Sequence, residues 1–330
     1  MLKTPLPEKP AAVASVITGV APDILLVSGF DYDAGHHALT AFQRTLARQG
    51  HPLPHAYTAA PNRGRPTGLD IDRDGRLGEP EDTQGFATFR GAGGMALLSR
   101  FPIQHAEVED FSELLWSDFP AANLPFEPNG PEAAVLRLST SGHWRVPVQL
   151  PNGAHIQILS LHATPPVFDG PEDRNGRRNA DQLRFWADFL NGWHPLRGTV
   201  APPRHAVVLG TLNADPADGE ARSGAVSALL NHPALQDPRP ASEGGARAAA
   251  EQGGINGQHL GPAMLDTVDW PDDLRGAPGN LRVDYILPAR GLRVLDAGVH
   301  WPIEGNAAKT AQAASRHRLV WVDIATPPAP

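Results

Sequence analysis

A chain of 330 residues, 41% hydrophobic and 19% charged, is long enough to bury the core of one large globular domain or two small ones. Its formal charge of −8 argues against nonspecific nucleic-acid binding, which needs a net basic face to displace counterions. The absence of cysteine excludes disulfides and thiolate metal sites, and no apolar run reaches the roughly 18 residues that a membrane-spanning helix requires.

In chain order, residues 1–10 (MLKTPLPEKP) carry Pro5, Pro7 and Pro10 and read as an N-terminal arm rather than a strand. The stretch KPAAVASVITGVAPD has the lysine, apolar core and small residues of a weak export signal. Asp23 comes too soon for that, however, and a strand, ILLVS, follows directly, so the reading is a buried helix over Ala11 to Val20. As written the chain carries no clear export signal, and its compartment stays open. HHALTAFQRTLARQG is predicted as a helix with Leu39, Phe42 and Leu46 on one face and Gly50 as its stop. Strands are expected at GMALLSRFPI, AVLRLS, WRVPVQL, AHIQILSLHA, HAVVLG, LRVDYILP and RLVWVDI. Pro151-Asn152-Gly153 turns one hairpin, and RRNADQLRFWADFLNGW puts Leu183, Trp186 and Leu190 on one helix face. Strands in runs with dispersed helices predict an α+β sandwich. The expected organisation is an arm (1–10), a single domain (11–324) and a short tail (325–330). Three long loops, near residues 49–90, 108–133 and 236–279, are expected to be functional walls or ion-stabilised excursions.

Within the first loop, DIDRDGRLGEPE has acids at positions one, three, five and twelve: Asp70, Asp72, Asp74 and Glu81. Gly75 stands at six, Arg76 at seven, where a backbone carbonyl is expected, and Leu77 at eight. Alternate carboxylates around one carbonyl are how an oxygen-seeking cation is held, so a structural Ca2+ is expected. Pro80 and Pro66-Thr67-Gly68 stand where flanking helices would be.

GMALLSRFPI, LSLHATPP, LGTLNADP and RVDYILP…ASRHRLVWVDI resemble, in that order, the motifs of the endonuclease/exonuclease/phosphatase superfamily, the deoxyribonuclease-I-like fold. HATPPVFDGPEDRNGRRN and the acidic loop are similar to one bacterial branch, whose members are often exported. The resemblance implies a four-layer sandwich of two packed mixed sheets flanked by helices. It also implies phosphoester hydrolysis assisted by Mg2+ or Mn2+, the cation polarising the phosphoryl group. By this resemblance His162 meets phosphoryl oxygens, Asn213 orients the nucleophile or a phosphate oxygen, and Asp284 holds the general base His317 in its working tautomer.

The metal half of the pattern is degenerate. Gly29 stands where the second strand should supply its principal acid, Thr211 where Gly-Asp-x-Asn has aspartate, and Arg316 where an acid precedes the base histidine. The first strand, with its Asn, has no counterpart. The expectation is a lapsed hydrolase binding a phosphate-containing or anionic small molecule, with Arg316 gripping phosphate and Asn175 and Arg178 bordering the cleft. One alternative is an active phosphoesterase using Asp31, Asp33 or Asp215 as substitute ligands. The other is an ion-stabilised structural subunit whose missing strand leaves a gap for a protein partner or a second copy.

Overall fold

The computed structural model describes residues 8–271 and 276–329. In chain order its regular elements begin with α1 (Glu8–Val20), β1 (Ile24–Phe30), α2 (His37–Arg48), β2 (His55–Tyr57) and β3 (Gly94–Ser99). The middle of the chain forms β4 (Glu109–Asp110), β5 (His143–Gln149), β6 (His155–His162), α3 (Arg174–Leu190), β7 (Trp193–His194) and β8 (Gly198–Thr199). Then come β9 (Ala206–Thr211), α4 (Ser223–Leu230), α5 (Glu243–Gln252), β10 (Asp284–Pro288), β11 (Val294–His300), α6 (Gly305–Ala314) and β12 (Leu319–Ile324). No helix among the described residues is long and apolar enough to cross a membrane.

Local chemistry accounts for the main elements. α2 buries Leu39, Phe42 and Leu46 at helical spacing, and the Asp33 carboxylate accepts its first free amides, from His37 (2.8 Å) and Ala38 (3.0 Å). α3 buries Leu183, Trp186 and Leu190 on its inner side. β5 and β6 form the expected hairpin, closed by the Leu150 amide on the Ala154 carbonyl at 2.8 Å, with Gly153 at φ +85°.

One sheet has the order β1-β3-β2, all antiparallel, and a second has the order β10-β9-β6-β5-β4, antiparallel except for parallel β6 and β9. β11 and β12 pair with each other. β1 lies over β9 and β12 over β10, so these strands face the second sheet. Met95, Leu97, Val146, Val148, Ile156, Ile158 and Val207 fill the space between the sheets. On one outer face α1 and α2 cover Leu25, Ala96 and Leu98; on the other α3 and α4 cover Leu159, Leu161, Val208 and Leu287. The result is an α+β sandwich of four layers.

Two strand expectations change. Residues 134–139 (AVLRLS) form only a single bridge, Leu115 with Arg137, because the side chains of Gln84 and Arg178 take the Arg137 amide and carbonyl. β11 lies in a stretch, VLDAGVH, that the alternation rule passes over. The missing or shortened first strand falls on residues 1–7, outside those described. Among the described residues β1 is paired only with β3, and β12 only with β11. Yet both strands feed the same cores: Leu25 and Leu319 beneath the helices, and Ile24, Leu26 and Ile324 between the sheets.

Candidate functional site

Strand register assembles a row of polar residues at one end of the second sheet. His162 ends β6 opposite Thr211, which ends β9; Thr211 in turn lies opposite Asp284, which starts β10. Residues far apart in sequence thus share one face because parallel β6–β9 and antiparallel β9–β10 pairing align them.

Asp284 is the hub. Its Oδ1 accepts from the Thr211 hydroxyl at 2.6 Å, and its Oδ2 accepts from the Thr267 hydroxyl at 3.0 Å and lies 2.8 Å from His317 Nδ1. Burial pushes the Asp284 carboxyl up, but the charge and hydrogen bond of His317 and the two hydroxyls outweigh it and hold it below the usual carboxylate value. The same pairing raises His317: burial lowers it, and the Asp284 charge and hydrogen bond more than reverse that. With Nδ1 on Asp284, Nε2 is the nitrogen left to exchange a proton with a ligand. The His317 side chain keeps 36% of its exposure, and Trp270 packs edge-on against it.

Thr267 is a member that sequence reasoning missed. Besides donating to Asp284, its hydroxyl accepts from the amides of Val283 and Asp284, at 3.0 Å each. Val268 bridges both Leu281 and His317, which pins the Thr267 segment between the two partners it joins. Nothing in LDTVDW marks a site; only the tertiary bridge does.

His162 is the electrostatic opposite of His317. Burial, then the charges of Arg63 and His317, push it down to about 4, so it is neutral near pH 7. Its Nδ1 is buried without a hydrogen-bond partner among the described residues. Asn213, at φ +51°, turns the chain out of β9 and donates its amide to the Ala163 carbonyl at 2.8 Å, next to His162.

The degenerate positions are open or neutral. Gly29 is a bulge in β1, at φ +73°, with nothing within 4 Å of where a Cβ would stand. Thr211 is spent on Asp284. Arg316 is exposed, and among the described residues its guanidinium has no hydrogen bond or ion pair; only its backbone carbonyl is used, by Asp269. No contact among the described residues holds the Arg316 guanidinium in the site, so the phosphate grip expected of it has no support in this geometry.

Two more expectations change. Arg178 is buried, donating to the carbonyls of Gln84 (2.7 Å), Leu138 (3.2 Å) and Arg137, and lies over the Trp116 ring. Burial and Arg174 lower it to about 9. Asn175 donates to the Val167 carbonyl at 2.8 Å, and its amide meets Asp169. Both residues staple loops to α3, and the Arg178 guanidinium, buried on three carbonyls, does not face a cleft.

The proposed substitute acids are also engaged. Asp33 caps α2, and Asp31 accepts the Gly93 amide at 2.8 Å. The carboxylate of Asp215 accepts from Ala217, Asp218 and Arg282 amides.

In the acidic loop, carboxylate oxygens of Asp70, Asp72 and Asp74 lie within 4.8 Å of one another. Asp70 Oδ1 is buried without a partner among the described residues, while its Oδ2 accepts the Gly75 amide at 2.9 Å. Neither Glu81 nor the neighbouring Asp82 belongs to this three-acid group, but Asp82 ties the loop together through backbone amides. Asp82 is buried and accepts the amides of Ile71 (2.7 Å) and Gly78 (2.8 Å), whereas Glu81 is exposed and outside the three-acid group. Arg76 extends its side chain toward Asp74 and Glu79.

Comparison with known proteins bears on the whole chain. Residues 3–317 match the model of the endonuclease/exonuclease/phosphatase family. An endonuclease/exonuclease/phosphatase from Beutenbergia cavernae superposes with a TM-score of 0.59 at 19% identity, covering 100% of this chain and 69% of that one. A protein of the same family from Bacteroides thetaiotaomicron gives a TM-score of 0.50 at 13% identity, covering 96% of this chain and 85% of its own. At such identities the likeness is one of fold. No functionally curated protein matches.

Proposed function

Because the chain belongs to the endonuclease/exonuclease/phosphatase family, we propose that it is a member that has lost metal-assisted phosphoester hydrolysis and binds a phosphate-containing or anionic small molecule. The observation that carries this reading is the 2.6 Å hydrogen bond from Thr211 to Asp284. A neutral donor stands at the position of an expected carboxylate, and it occupies an oxygen of the one acid that remains in the row. Gly29 has no side chain to offer and Arg316 carries the wrong sign, so three negative charges are missing from the site of a hard cation. The retained part, His162, Asn213 and the Asp284–His317 pair, is the part suited to phosphoryl oxygens and protons. The engagement of Asp31, Asp33 and Asp215 with backbone amides weighs against a rearranged metal site.

The test is hydrolysis of bis(4-nitrophenyl) phosphate with Mg2+, Mn2+ or Ca2+, run beside His317→Ala. We expect wild-type turnover no higher than that of the variant. Metal-dependent turnover that disappears in His317→Ala would sink the reading. The combined reversion Gly29→Glu, Thr211→Asp and Arg316→Asp is expected to gain metal-dependent turnover.

The acidic loop supports a separate proposal, a structural Ca2+ on Asp70, Asp72 and Asp74. The supporting observation is that Asp70 Oδ1, beside two further carboxylates, is buried with no partner among the described residues. Ca2+ is expected to raise the thermal midpoint, as any ligand of the native state does, and Asp72→Asn is expected to abolish most of that gain. An identical midpoint in Ca2+ and in chelator would refute it.

A further inference from the structure

With the acids gone from Gly29, Thr211 and Arg316, the positive charge near the end of β1 comes from an arginine on a different loop, opposed by Asp31. Arg63 lies in the segment after β2, and its Nε and Nη2 donate to the Phe86 carbonyl at 3.3 and 3.1 Å. Its guanidinium lies directly against Gly93: a Cβ there would meet Nη1 at 2.7 Å. A Cβ at Gly85 would meet the Arg63 stem at 3.2 Å. The side chain therefore runs through a channel that two glycines keep clear, and two hydrogen bonds fix its plane. The Gly93 amide donates to Asp31 Oδ1 at 2.8 Å, which ties this channel to the chain leaving β1, two residues past the Gly29 bulge.

The fixed guanidinium has spare donors. Nη1 has no hydrogen-bond partner among the described residues, although five N–H groups are available in the fork. Its charge acts on both sides of this end of the sandwich. Burial lowers Arg63 below its ordinary value, an effect only partly offset by the Asp31 charge, and Arg63 in turn contributes to holding His162 neutral. A second polar atom without a partner among the described residues is the buried Nδ1 of His162, the histidine on which the Arg63 charge acts.

Resting on the reading of a non-hydrolytic anion-binding member, we infer that Arg63 is the residue that grips the ligand, a phosphate dianion or phosphomonoester held without metal by its free Nη1 edge beside His162. A guanidinium suits this task because its planar fork matches two oxygens of a tetrahedral anion and stays charged at every working pH. Unlike a bound dication it is permanent, so binding would need no metal at all. It takes the role that the sequence alone assigned to Arg316.

Binding of inorganic phosphate and of phenyl phosphate is measured by calorimetry with chelator present, on wild type, Arg63→Gln, Arg63→Lys and Arg316→Ala. We expect wild type and Arg316→Ala to bind alike and Arg63→Gln to bind at least about tenfold more weakly, the loss of a charge-assisted contact. Arg63→Lys is expected to fall between, keeping charge without the fork. Tighter phenyl phosphate than inorganic phosphate would identify a monoester as the ligand class; equal affinities would identify the free dianion. Imidazole NMR gives a second readout, since His162 should titrate higher in Arg63→Gln and shift on phosphate addition only in wild type. Wild type binding neither anion would remove the anion-binding reading itself. Wild type binding them while Arg63→Gln binds as tightly, or binding that requires Mg2+, would overturn the role of Arg63 alone.

Discussion

Asp284 keeps its charge because three donors converge on it, and its effect on His317 can be isolated. With Asp284→Asn the cation-stabilising partner disappears while burial remains, so His317 is expected to titrate below its ordinary value, read by imidazole NMR. A His317 titration unmoved by the substitution would mean that another group raises it. The same pair has a defined pH signature. His317 has a raised value in the folded state, so its contribution to stability is complete below about 6.5, the unfolded value, and is lost as pH rises through the folded one. The destabilisation caused by Asp284→Asn should therefore be larger at pH 6 than at pH 9, measured by urea unfolding; equal losses at both would contradict the linkage. Asp284, His317, His162 and Asn213 were legible in sequence because each sits in a short motif at a strand end. Thr267 and Arg63 were not, because the groups that give them meaning lie 17 or more residues away, at Asp284 and Phe86.

At the scale of elements, α3 shows why residue type and location alone misassign a role. Arg178 sits in a charged stretch that reads as a helix start bordering a cleft, yet it is buried on three carbonyls from segments 40 or more residues away. We expect Arg178→Met to destabilise the fold by about 2–4 kcal/mol, because it leaves buried carbonyls without donors. The check is chemical denaturation, with phosphate affinity measured beside it. Unchanged stability with lost affinity would return Arg178 to the ligand. The same contacts explain the failed strand at residues 134–139. Its alternation was genuine, but side chains of Gln84 and Arg178 satisfy the Arg137 backbone that a neighbouring strand would otherwise pair. Strands with uninterrupted β-branched and aliphatic runs, such as β5, β6 and β9, were readable; β11, carrying Asp296 and Gly298, was not.

At the scale of the whole molecule, the free edges of β1 and β12 can each accept a further strand. Both strands contribute apolar side chains to the same two cores, and each has one edge unpaired among the described residues. Unpaired donors and acceptors on a strand edge are a template for another strand. The second alternative drawn from the sequence, a partner or second copy completing the sheet, rests on this edge, as does a shortened strand from residues 1–7. Hydrogen exchange separates these occupants. In β1 about half the amides point toward β3 and should be protected, while those on the opposite edge report whether anything pairs there. Rapid exchange on that edge at every protein concentration is expected if the sheet is open in the isolated chain. Protection that grows with concentration, together with a larger hydrodynamic size, would identify a second copy. Protection independent of concentration, and lost when residues 1–7 are deleted, would identify the arm. Only the last two outcomes pair the free edge of β1 with a further strand.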